Sequence, residues 1–549
     1  MLLCEKGASV MSIAARVLAR RAKLAPAETE NVTIEKDLRV PMPDGVVLLA
    51  DHYAPQGLGD RPTVLIRSVY TDRTKGAMVS RLVAERGFHV LVVSGRGTCG
   101  SGGKLTPFVS ERDDGLAVLE WLRRQPWFTG ELGTLGQSYN GYTQWAIAAG
   151  AGPELRAMST SLIGSNAYDL VYPGGALALE LFLGWISMVA GQEKPLPVYL
   201  STVALGGRRR ARAARLLPLA GADAIAIGAV APHWRDWLAH PDAGDPWWSP
   251  GDHSRAVPAV TAPNHLVSGW DDFALPGLVR DYRALREAGR EPYLTIGPWR
   301  HWDAELSMTA LRESLTWLRA HLLKDRDGLR EAPVRIYVTG AGEWRDLPAY
   351  PPAEVRPHRV HLHANGGLGD EPPAGSAPGR YRFDPADPTP AVAGMSRMIG
   401  ISRKTGESVL AGRADVLTYT GAPLPADLEV IGVPAAELHV TSSLAHTDFY
   451  VRVSDMAPSG AITHVSDALR RFAADRPIDG MAEIELAPVA HRFRRGHRIR
   501  VQIASAAYPR WDRNPGTGEP PATASAMRAA DQQIHHDPSR PSALILPVC

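Results

Sequence analysis

Apolar positions in the first part of the chain follow two different periods. Residues Val32–Pro55 alternate apolar and polar positions around a Pro-Asp-Gly turn, which predicts a β-hairpin. Short apolar runs at Thr63–Ile66 and Phe88–Val93 predict buried strands, and Met78–Arg86 and Leu116–Arg124 predict helices. Strands that alternate with helices in this way are typical of a largely parallel sheet that is covered on both faces.

Residues Pro153–Pro250 are predicted to leave this alternation. Leu177–Val189 and Thr202–Leu219 have a helical pattern, and four tryptophans crowd the end of the segment. We therefore predict a helical cap that is inserted into the α/β domain. The alternation then resumes, with strands at Asn264–Ser268, Tyr293–Ile296 and Val334–Val338 and helices at Pro276–Ala288 and Leu311–Leu323.

Beyond the proline-rich linker Pro348–Pro357 the pattern becomes one of period two, as in Phe449/Val451/Val453 and Ile499/Val501/Ile503. Such segments without convincing helices predict an antiparallel β-sandwich of jelly-roll type. The predicted domains are an N-terminal extension (1–31), an α/β domain in two parts (32–152 and 251–350), the helical cap (153–250) and the β-sandwich (351–549).

The length of 549 residues fits such a multidomain protein, and the charge limits what it binds. A net charge of +2 argues against nucleic acid as a partner. The three cysteines, Cys4, Cys99 and Cys549, are odd in number and far apart, so they form no disulfide framework and favour the reducing cytoplasm.

No membrane-spanning or signal segment is expected from the sequence. Ser12–Lys23 is a basic amphipathic helix without an apolar signal-peptide core. It either lies on the protein body through Ile13 and Val17 or binds a membrane surface, and we favour the first interpretation. The longest apolar run, Ala176–Gly191, is interrupted by Glu180 and is too short to span a bilayer.

The most informative short stretch is Gly136-Gln137-Ser138, the first half of a G-x-S-x-G turn. Its second glycine comes one position late, at Gly141. A strand precedes this turn and a helix follows it, which is the arrangement that exposes a nucleophilic serine hydroxyl. The alternative is an ordinary Gly-Ser turn with no catalytic role.

Later strands supply the groups that such a serine needs. One strand runs into Asp271-Asp272 and the next into His301. The chain order serine, acid, histidine is the order that α/β-hydrolases use, so Ser138, Asp272 and His301 form a candidate triad. Alternatively, the acid caps the following helix and the histidine is a core residue. The backbone N–H of Tyr139 and the phenol of Tyr70 are candidate donors to an oxyanion.

Other motifs predict no cofactor and no metal. Gly95–Gly100 matches the dinucleotide pattern G-x-G-x-x-G, but a glycine-rich loop follows where a helix should begin. His361 and His363 share a strand face without a third ligand of clear spacing, and His535-His536-Asp537 lies in a terminal loop. The basic cluster Arg208–Arg210 is most simply a solvated helix face rather than a phosphate site.

Several separate motifs resemble the cocaine esterase / X-prolyl dipeptidyl-peptidase-like (CocE/NonD) family of α/β-hydrolase acyl esterases. The resemblance runs from about Val32 to the C-terminus. The motifs that carry it are Val40–Gly45, Ile66–Tyr70, Arg96–Thr98 with Gly100-Ser101, Gln125–Trp127, Gly136–Tyr139, Gly269–Asp272, Gly297–His301, Thr447–Phe449 and Gly496–Arg498.

This resemblance implies Ser138 as nucleophile, Asp272 rather than Asp271 as the acid, and His301 as the base. It also implies the Tyr70 hydroxyl and the Tyr139 N–H as oxyanion donors, and the late glycine is what the family's serine motif shows. One departure is Ser94, where the family usually carries an aspartate, which puts the hydrogen bonding beneath that loop in doubt.

Aromatic residues are the candidates for substrate contact. Trp185 resembles a residue that lines the acyl pocket of the family, although packing within the cap is an equal alternative. The remaining candidates for substrate contact are Tyr172, Trp270 and Phe273.

The sequence therefore predicts a serine hydrolase, without a cofactor, that cleaves carboxylic esters of small, including aromatic, acyl groups. One alternative is a peptidase or amidase of the same family, of the X-prolyl dipeptidyl-peptidase or β-lactam acylase type. Another is a non-catalytic protein that binds ligands through its β-sandwich. The expected partner is a small ester or amide substrate rather than a nucleic acid or a membrane, and a homodimer is left open.

Overall fold

The computed structural model describes residues 15–74, 77–392, 407–475, 478 and 480–549. Contacts divide the chain into two compact units. The first consists of Met1–Ala167 and Trp248–Pro333, and the second of Tyr168–Trp247 and Val334–Cys549. Among the described residues, no helix combines the length and the apolar character that crossing a membrane requires.

Eleven helices are described. They are α1 (residues 15–21), α2 (Met78–Ala84), α3 (Glu111–Leu122), α4 (Tyr139–Ala148), α5 (Ala167–Val171), α6 (Leu179–Gly191), α7 (Leu196–Ala214), α8 (Ala222–Ile227), α9 (Pro232–Ala239), α10 (Leu275–Glu287) and α11 (Ala304–Leu318). A π-helical turn, Arg319–Leu323, continues α11.

Eight strands form the sheet of the first unit. They are β1 (Val32–Pro41), β2 (Val47–Pro55), β3 (Thr63–Ser68), β4 (His89–Ser94), β5 (Leu132–Gln137), β6 (Leu155–Ser161), β7 (Asn264–Asp271) and β8 (Tyr293–Arg300). Their order in the sheet is β1-β2-β4-β3-β5-β6-β7-β8. The β1–β2 hairpin is antiparallel, as predicted, and from β4 to β8 all neighbours are parallel.

The apolar side chains of β3 and β4 form a core with the helices on one face of this sheet. Val64 and Val90 are fully buried there against Leu82 of α2 and Leu318 of α11. Burial of such side chains contributes roughly 1.5–3 kcal/mol each. This helical cover on a parallel sheet is the α/β arrangement that the hydrophobic pattern predicted.

The N-terminal helix also packs on this core, but not through the predicted face. Ala15 and Ala22 are buried and Leu18 packs beside them, whereas Val17 is 47% exposed. Residues spaced three and four apart share one helix face, and Val17 lies off that face. The prediction for Val17 was therefore wrong, and Cys4 and Ile13 lie outside the described residues.

The predicted cap began too early. Leu155–Ser161 forms β6, a central strand that pairs with β5 and β7, so the alternation does not stop at Pro153. The strand was missed because its C-terminal half is polar: Ser159, Thr160 and Ser161 are buried but carry no apolar signal. The Ser159 hydroxyl donates to Ser314 Oγ at 2.7 Å and the Thr160 hydroxyl to Gln144 Oε1 at 3.3 Å, which offsets the cost of burying them.

The second unit contains the cap helices, a short hairpin and the β-sandwich. The hairpin is β9 (Val334–Val338) with β10 (Glu343–Leu347). The sandwich strands are β11 (Arg356–Leu362), β12 (Gly367–Gly369), β13 (Gly379–Phe383), β14 (Leu417–Gly421), β15 (Leu428–Gly432), β16 (Ala435–Ser442), β17 (Thr447–Met456), β18 (Ile462–Phe472), β19 (Met481–Glu485), β20 (Val489–Phe493), β21 (Arg498–Ala504), β22 (Ala530–Ile534) and β25 (Ala543–Val548), with β23 (His536–Asp537) and β24 (Arg540–Pro541) as a separate pair.

Alternate residues of these strands fill the sandwich core. Phe449, Val451 and Val453 of β17 are fully buried, together with Val501 and Ile503 of β21. The β17–β18 and β17–β21 pairings are antiparallel, as the period-two pattern predicted.

The cap segment packs on the sandwich, so both belong to one unit. Gly174 lies so close to β18 that a Cβ atom would stand 1.8 Å from the Leu469 carbonyl oxygen. The Leu177 N–H donates to Asp512 Oδ1 at 2.9 Å, and Trp511 Nε1–H donates to the Pro173 carbonyl at 3.1 Å. The residues joined by these two hydrogen bonds are more than 300 positions apart in the chain, and no periodicity in the sequence indicates such a contact.

A mostly buried arginine, whose side chain is 12% exposed, holds this junction together. Arg471 binds Asp448 at 2.8 Å and Asp512 at 3.0 Å, and both carboxylates are almost fully buried. We expect Arg471→Met to lower the free energy of unfolding by about 3–5 kcal/mol, because it leaves two buried carboxylates without their counter-charge. Urea denaturation followed by tryptophan fluorescence measures the change.

The matched control is Arg382→Met. Arg382 pairs with Asp531 at 2.9 Å, but both side chains are more than 60% exposed. Exposed pairs contribute at most about 1 kcal/mol, so this variant is expected to unfold almost like wild type. Equal effects of the two substitutions would contradict the proposed role of the Arg471 network.

Candidate active site

Ser138 occupies a sharp turn between β5 and α4. Its backbone has φ +54° and ψ −127°, a conformation that residues with a Cβ rarely adopt. The Ser138 N–H donates to the Ser161 carbonyl at 2.8 Å, and its own carbonyl accepts from the N–H of Gly141 at 2.8 Å. Such a turn costs free energy locally and is retained only where the surrounding structure fixes it.

The two glycines of the motif allow the helix to approach the sheet. A Cβ atom on Gly136 would lie 2.5 Å from the Asn140 carbonyl oxygen. A Cβ atom on Gly141 would lie 2.6 Å from Ile163 Cγ2 and 3.1 Å from the Ser161 carbonyl. The late glycine is therefore required by the close packing of α4 on the chain after β6.

Hydrogen bonds connect Ser138 to the two predicted partners. His301 Nε2 lies 3.1 Å from Ser138 Oγ, and His301 Nδ1 lies 2.9 Å from Asp272 Oδ1. Asp272 is fully buried and His301 nearly so. Because a carboxylate only accepts hydrogen bonds, Nδ1 carries the proton and Nε2 presents its lone pair to the serine hydroxyl.

The Asp272 carboxylate is itself fixed by two further donors. The Ser268 hydroxyl donates to Asp272 Oδ2 at 2.8 Å, and the Ala274 N–H donates to Oδ1 at 3.0 Å. Asp272 thus fixes the turn before α10 and binds the imidazole, but it does not cap the helix, because the N-cap residue is Ala274. The arrangement can remove a proton from Ser138 and return it to a leaving group.

Tyr139, the first residue of α4, turns its phenol into the interior. The hydroxyl donates to Glu111 Oε1 at 2.9 Å and accepts from the Phe108 N–H at 2.8 Å. Glu111 in turn pairs with Arg67 at 2.7 Å. Burial raises the pKa of Tyr139 well above its ordinary value, and it also raises the pKa of Glu111 despite the opposing charge of Arg67. Of the two donors of Tyr139, the phenol is therefore occupied, and the backbone N–H is the candidate donor to the oxyanion.

Tyr70 follows β3 and is half-buried. Its ring lies edge-to-face on the Tyr139 ring, with centroids 6.4 Å apart. Asp72, in the same loop, accepts from the Ser68 hydroxyl at 2.5 Å and from Asn140 Nδ2 at 2.8 Å. The Tyr70 loop is thus connected to α4, and the role of the Tyr70 hydroxyl as an oxyanion donor stays a prediction.

The predicted substrate-contact residues fall in both units. In the first unit, Trp270 and Phe273 are half-buried, and the Phe273 ring lies 4.4 Å from the His301 ring. In the second unit, Trp185 of α6 is buried against Trp237, with ring centroids 6.0 Å apart. The Tyr172 hydroxyl donates to the Trp237 carbonyl at 2.9 Å, and contact of Tyr172 and Trp185 with substrate stays a prediction.

Several further residues that were not predicted from the sequence fix the site. Ser68 is the last residue of β3, a position that was available as a signal, whereas Ser268 lies within β7, three residues before its end. Asp72 and Asn140 carried no recognisable pattern. Trp302, next to His301, is 51% exposed, and its ring contacts the imidazole edge-to-face with centroids 5.0 Å apart.

The departure at Ser94 is accommodated by charges from the first hairpin. Arg73 Nε donates to Ser94 Oγ at 3.2 Å, and Arg73 Nη1 binds Asp51 at 2.9 Å and Asp37 at 2.6 Å. The arginine beneath this loop therefore has two carboxylate partners although residue 94 is a serine.

The remaining motifs lie apart from this chemistry. After Gly95–Gly100 the chain forms turns, and α3 begins only at Glu111, so no helix starts at the glycine-rich loop as dinucleotide binding requires. Within the described part of the chain, no group of three or more histidine, cysteine or acidic side chains has a geometry that could hold a metal ion.

Comparison with known proteins identifies two family models in succession. Residues 44–303 match the X-Pro dipeptidyl-peptidase (S15 family) model, and residues 328–545 match the X-Pro dipeptidyl-peptidase C-terminal non-catalytic domain. The chain is similar to the cocaine esterase of Rhodococcus sp. (strain MB1 Bresler), with 28% identity over 579 residues, which covers 94% of this chain and 99% of that protein.

Solved structures share the fold over nearly the whole length. An α-amino acid ester hydrolase superimposes with a TM-score of 0.77 at 23% identity, covering 96% of this chain and 98% of that one. An aminopeptidase from a marine sediment archaeon, Thaumarchaeota archaeon, gives a TM-score of 0.76 at 23% identity, covering 94% and 96%. The α/β-hydrolase fold followed by a domain rich in antiparallel strands, as predicted, is confirmed.

Because the turn at Ser138 is strained, we expect glycine at this position to give a more stable protein than alanine. Alanine keeps the Cβ that disfavours φ +54°, whereas glycine adopts this backbone without strain. Relief of about 1–3 kcal/mol should outweigh the roughly 0.4–1 kcal/mol that glycine costs through the unfolded chain. Ser138→Gly is therefore expected to unfold at a higher temperature than Ser138→Ala, and calorimetry showing the reverse order would mean that the turn is unstrained.

Proposed function

The chain belongs to the cocaine esterase / X-prolyl dipeptidyl-peptidase-like (CocE/NonD) family of serine hydrolases, and we propose that it hydrolyses carboxylic esters of small acyl groups through an acyl-enzyme on Ser138. The observation that carries this proposal is the continuous chain of hydrogen bonds from Asp272 through His301 to Ser138. A buried carboxylate and an imidazole with its free nitrogen toward a serine hydroxyl form the arrangement that activates an alcohol as a nucleophile.

The first step forms the acyl-enzyme. His301 Nε2 takes the proton of Ser138 Oγ as that oxygen attacks the ester carbonyl. The imidazolium that forms is stabilised by the Asp272 carboxylate, which stays ionised. As the tetrahedral intermediate collapses, Nε2 gives its proton to the leaving alcohol, and the acyl group remains on Ser138.

The second step repeats the sequence with water. His301 Nε2 takes a proton from a water molecule that attacks the acyl carbon, and returns it to Ser138 Oγ as the carboxylic acid leaves. In both steps a negative charge develops on the carbonyl oxygen. We assign its stabilisation to hydrogen bonds from the backbone N–H of Tyr139 and the hydroxyl of Tyr70. The buried Tyr139–Glu111 hydrogen bond supports this assignment because it fixes the first residue of α4.

Esters are favoured over peptides on two grounds. The similar proteins include one named as a cocaine esterase and one named as an amino acid ester hydrolase. A dipeptidyl-peptidase also needs carboxylates that bind the free ammonium of its substrate. One acidic residue of the cap segment, Asp245, already contacts His240 at 2.6 Å and accepts from the Trp247 N–H. Peptidase or amidase activity remains the second candidate, since the catalytic-domain model is that of a peptidase family.

A small-molecule substrate and a cytoplasmic location belong to the same proposal. The net charge of +2 offers no general attraction for nucleic acid or acidic membranes. Cys549 is a free thiol, which is compatible with a reducing compartment.

Paired substrates separate the two candidate activities. We expect p-nitrophenyl acetate to be hydrolysed with a far higher kcat/KM than Gly-Pro-p-nitroanilide, both followed by release of the coloured product. Ser138→Ala should lower kcat for the ester by about 10⁶-fold, because nucleophile and base act as one unit. Faster cleavage of the anilide would support the peptidase instead, and undiminished hydrolysis by Ser138→Ala would remove the proposed nucleophile.

The oxyanion role of Tyr70 has its own test. Removing one oxyanion donor typically lowers kcat by about 10²–10³-fold, so Tyr70→Phe is expected to show this loss with KM little changed. Tyr293→Phe is the control. Tyr293 is the first residue of β8, and its hydroxyl donates to the Arg330 carbonyl. The kcat of this variant should stay within about twofold of wild type. If Tyr70→Phe retains wild-type kcat, the second donor is a different group.

A further inference from the structure

Trp302 is an exposed aromatic residue directly beside the reacting imidazole. Its side chain is 51% exposed, whereas Trp299 and Trp317 of the same unit are almost fully buried. Large aromatic side chains usually bury most of their surface, and an indole exposed beside reactive groups offers a flat apolar face that a bound molecule can cover.

The backbone around Trp302 is fixed by a short connection. Residues 301–303 link the end of β8 to the start of α11. The Arg300 N–H donates to Asp303 Oδ2 at 2.8 Å, and the Asp303 N–H donates to the Arg300 carbonyl at 3.0 Å. The position of the Trp302 backbone is therefore defined relative to His301, which is itself bonded to Asp272.

Two aromatic rings contact His301, and they differ in exposure. Phe273 lies 4.4 Å from the imidazole with the ring planes tilted by 31° and is half-buried. The ring centroids of Trp302 and His301 lie 5.0 Å apart, with 71° between the ring planes. This edge-to-face contact leaves about half of Trp302 exposed. Trp302 can thus contact both the imidazole and a bound molecule.

The reaction geometry indicates which part of the substrate comes nearest to this indole. His301 Nε2 must reach the oxygen of the leaving alcohol in order to protonate it. The carbonyl oxygen points instead toward the N-terminus of α4, where the proposed donor Tyr139 N–H lies. A side chain in contact with the imidazole is therefore closer to the leaving alcohol than to the oxyanion.

We propose that the indole of Trp302 binds the leaving alcohol of the ester and selects planar, aromatic alcohols. This inference rests on the proposed esterase function and adds a specificity residue to it. Stacking of an aromatic leaving group on the indole would stabilise the transition state of the acylation step. It would have no effect on deacylation, because the alcohol has left by then.

The test uses two esters with the same acyl group, benzyl acetate and butyl acetate. Both leaving groups are primary alcohols, and the acetyl-enzyme is common to both. Trp302→Ala is expected to lower kcat/KM for benzyl acetate by about tenfold and that for butyl acetate by much less. Trp302→Phe should recover most of the loss, and the single-turnover rate of acetyl-enzyme hydrolysis should stay at the wild-type value in both variants.

Trp344→Ala is the matched control. Trp344 is 44% exposed on the β9–β10 hairpin of the second unit and contacts Tyr337 edge-to-face. It should leave the ratio of the two kcat/KM values unchanged.

Two results would overturn the inference while leaving the proposed function intact. One is an equal loss of kcat/KM for both esters in Trp302→Ala, and the other is slower hydrolysis of the acetyl-enzyme, since either indicates a general effect on His301. If the wild-type protein hydrolyses neither these esters nor p-nitrophenyl acetate, the proposed function fails and the inference fails with it.

Discussion

The active site depends on the hydrogen bond between the buried Asp272 carboxylate and His301. Without it the imidazole has no fixed orientation, and its Nε2 has no reason to face Ser138. Parallel pairing in the sheet makes this bond possible, because it brings the carboxyl ends of β5, β7 and β8 to one edge. Ser138, Asp272 and His301 are each the first residue after one of these strands, so a chain separation of 163 positions between serine and histidine becomes 3.1 Å.

Buried polar side chains fix the strained turn that carries the serine. Gln144 of α4 donates to the carbonyls of Gly136 and Ser159 and accepts from Thr134, so it joins the helix to β5 and β6 directly beneath the turn. A network whose members all have partners rigidifies its surroundings, whereas an unpaired member would be costly. The same polar character made β6 look unlike a buried strand. The polar residues that made β6 hard to recognise in the sequence thus belong to the network that holds the nucleophile in place.

The sequence predicted the features that depend on local pattern or on residue type. The hairpin, most of the parallel strands and the sandwich have a clear period, and Ser138, Asp272 and His301 follow strand ends in a characteristic order. It did not predict features that arise only from packing between distant segments. The Arg471 contacts, the closeness of Gly174 to Leu469 and the Asp72–Asn140 bond are of that kind. The exposure of Trp302 is also a property of the folded surface, and neighbouring tryptophans of similar pattern are buried.

The central claim is that His301 makes Ser138 uniquely nucleophilic. The most direct measurement is to treat the protein with a fluorophosphonate and to locate the adduct by mass spectrometry of its peptides. We expect a single adduct, on the peptide that contains Ser138, and its loss in His301→Ala while the circular dichroism spectrum is unchanged. An adduct on another serine, or equal labelling of Ser138 in the His301→Ala variant, would contradict this claim.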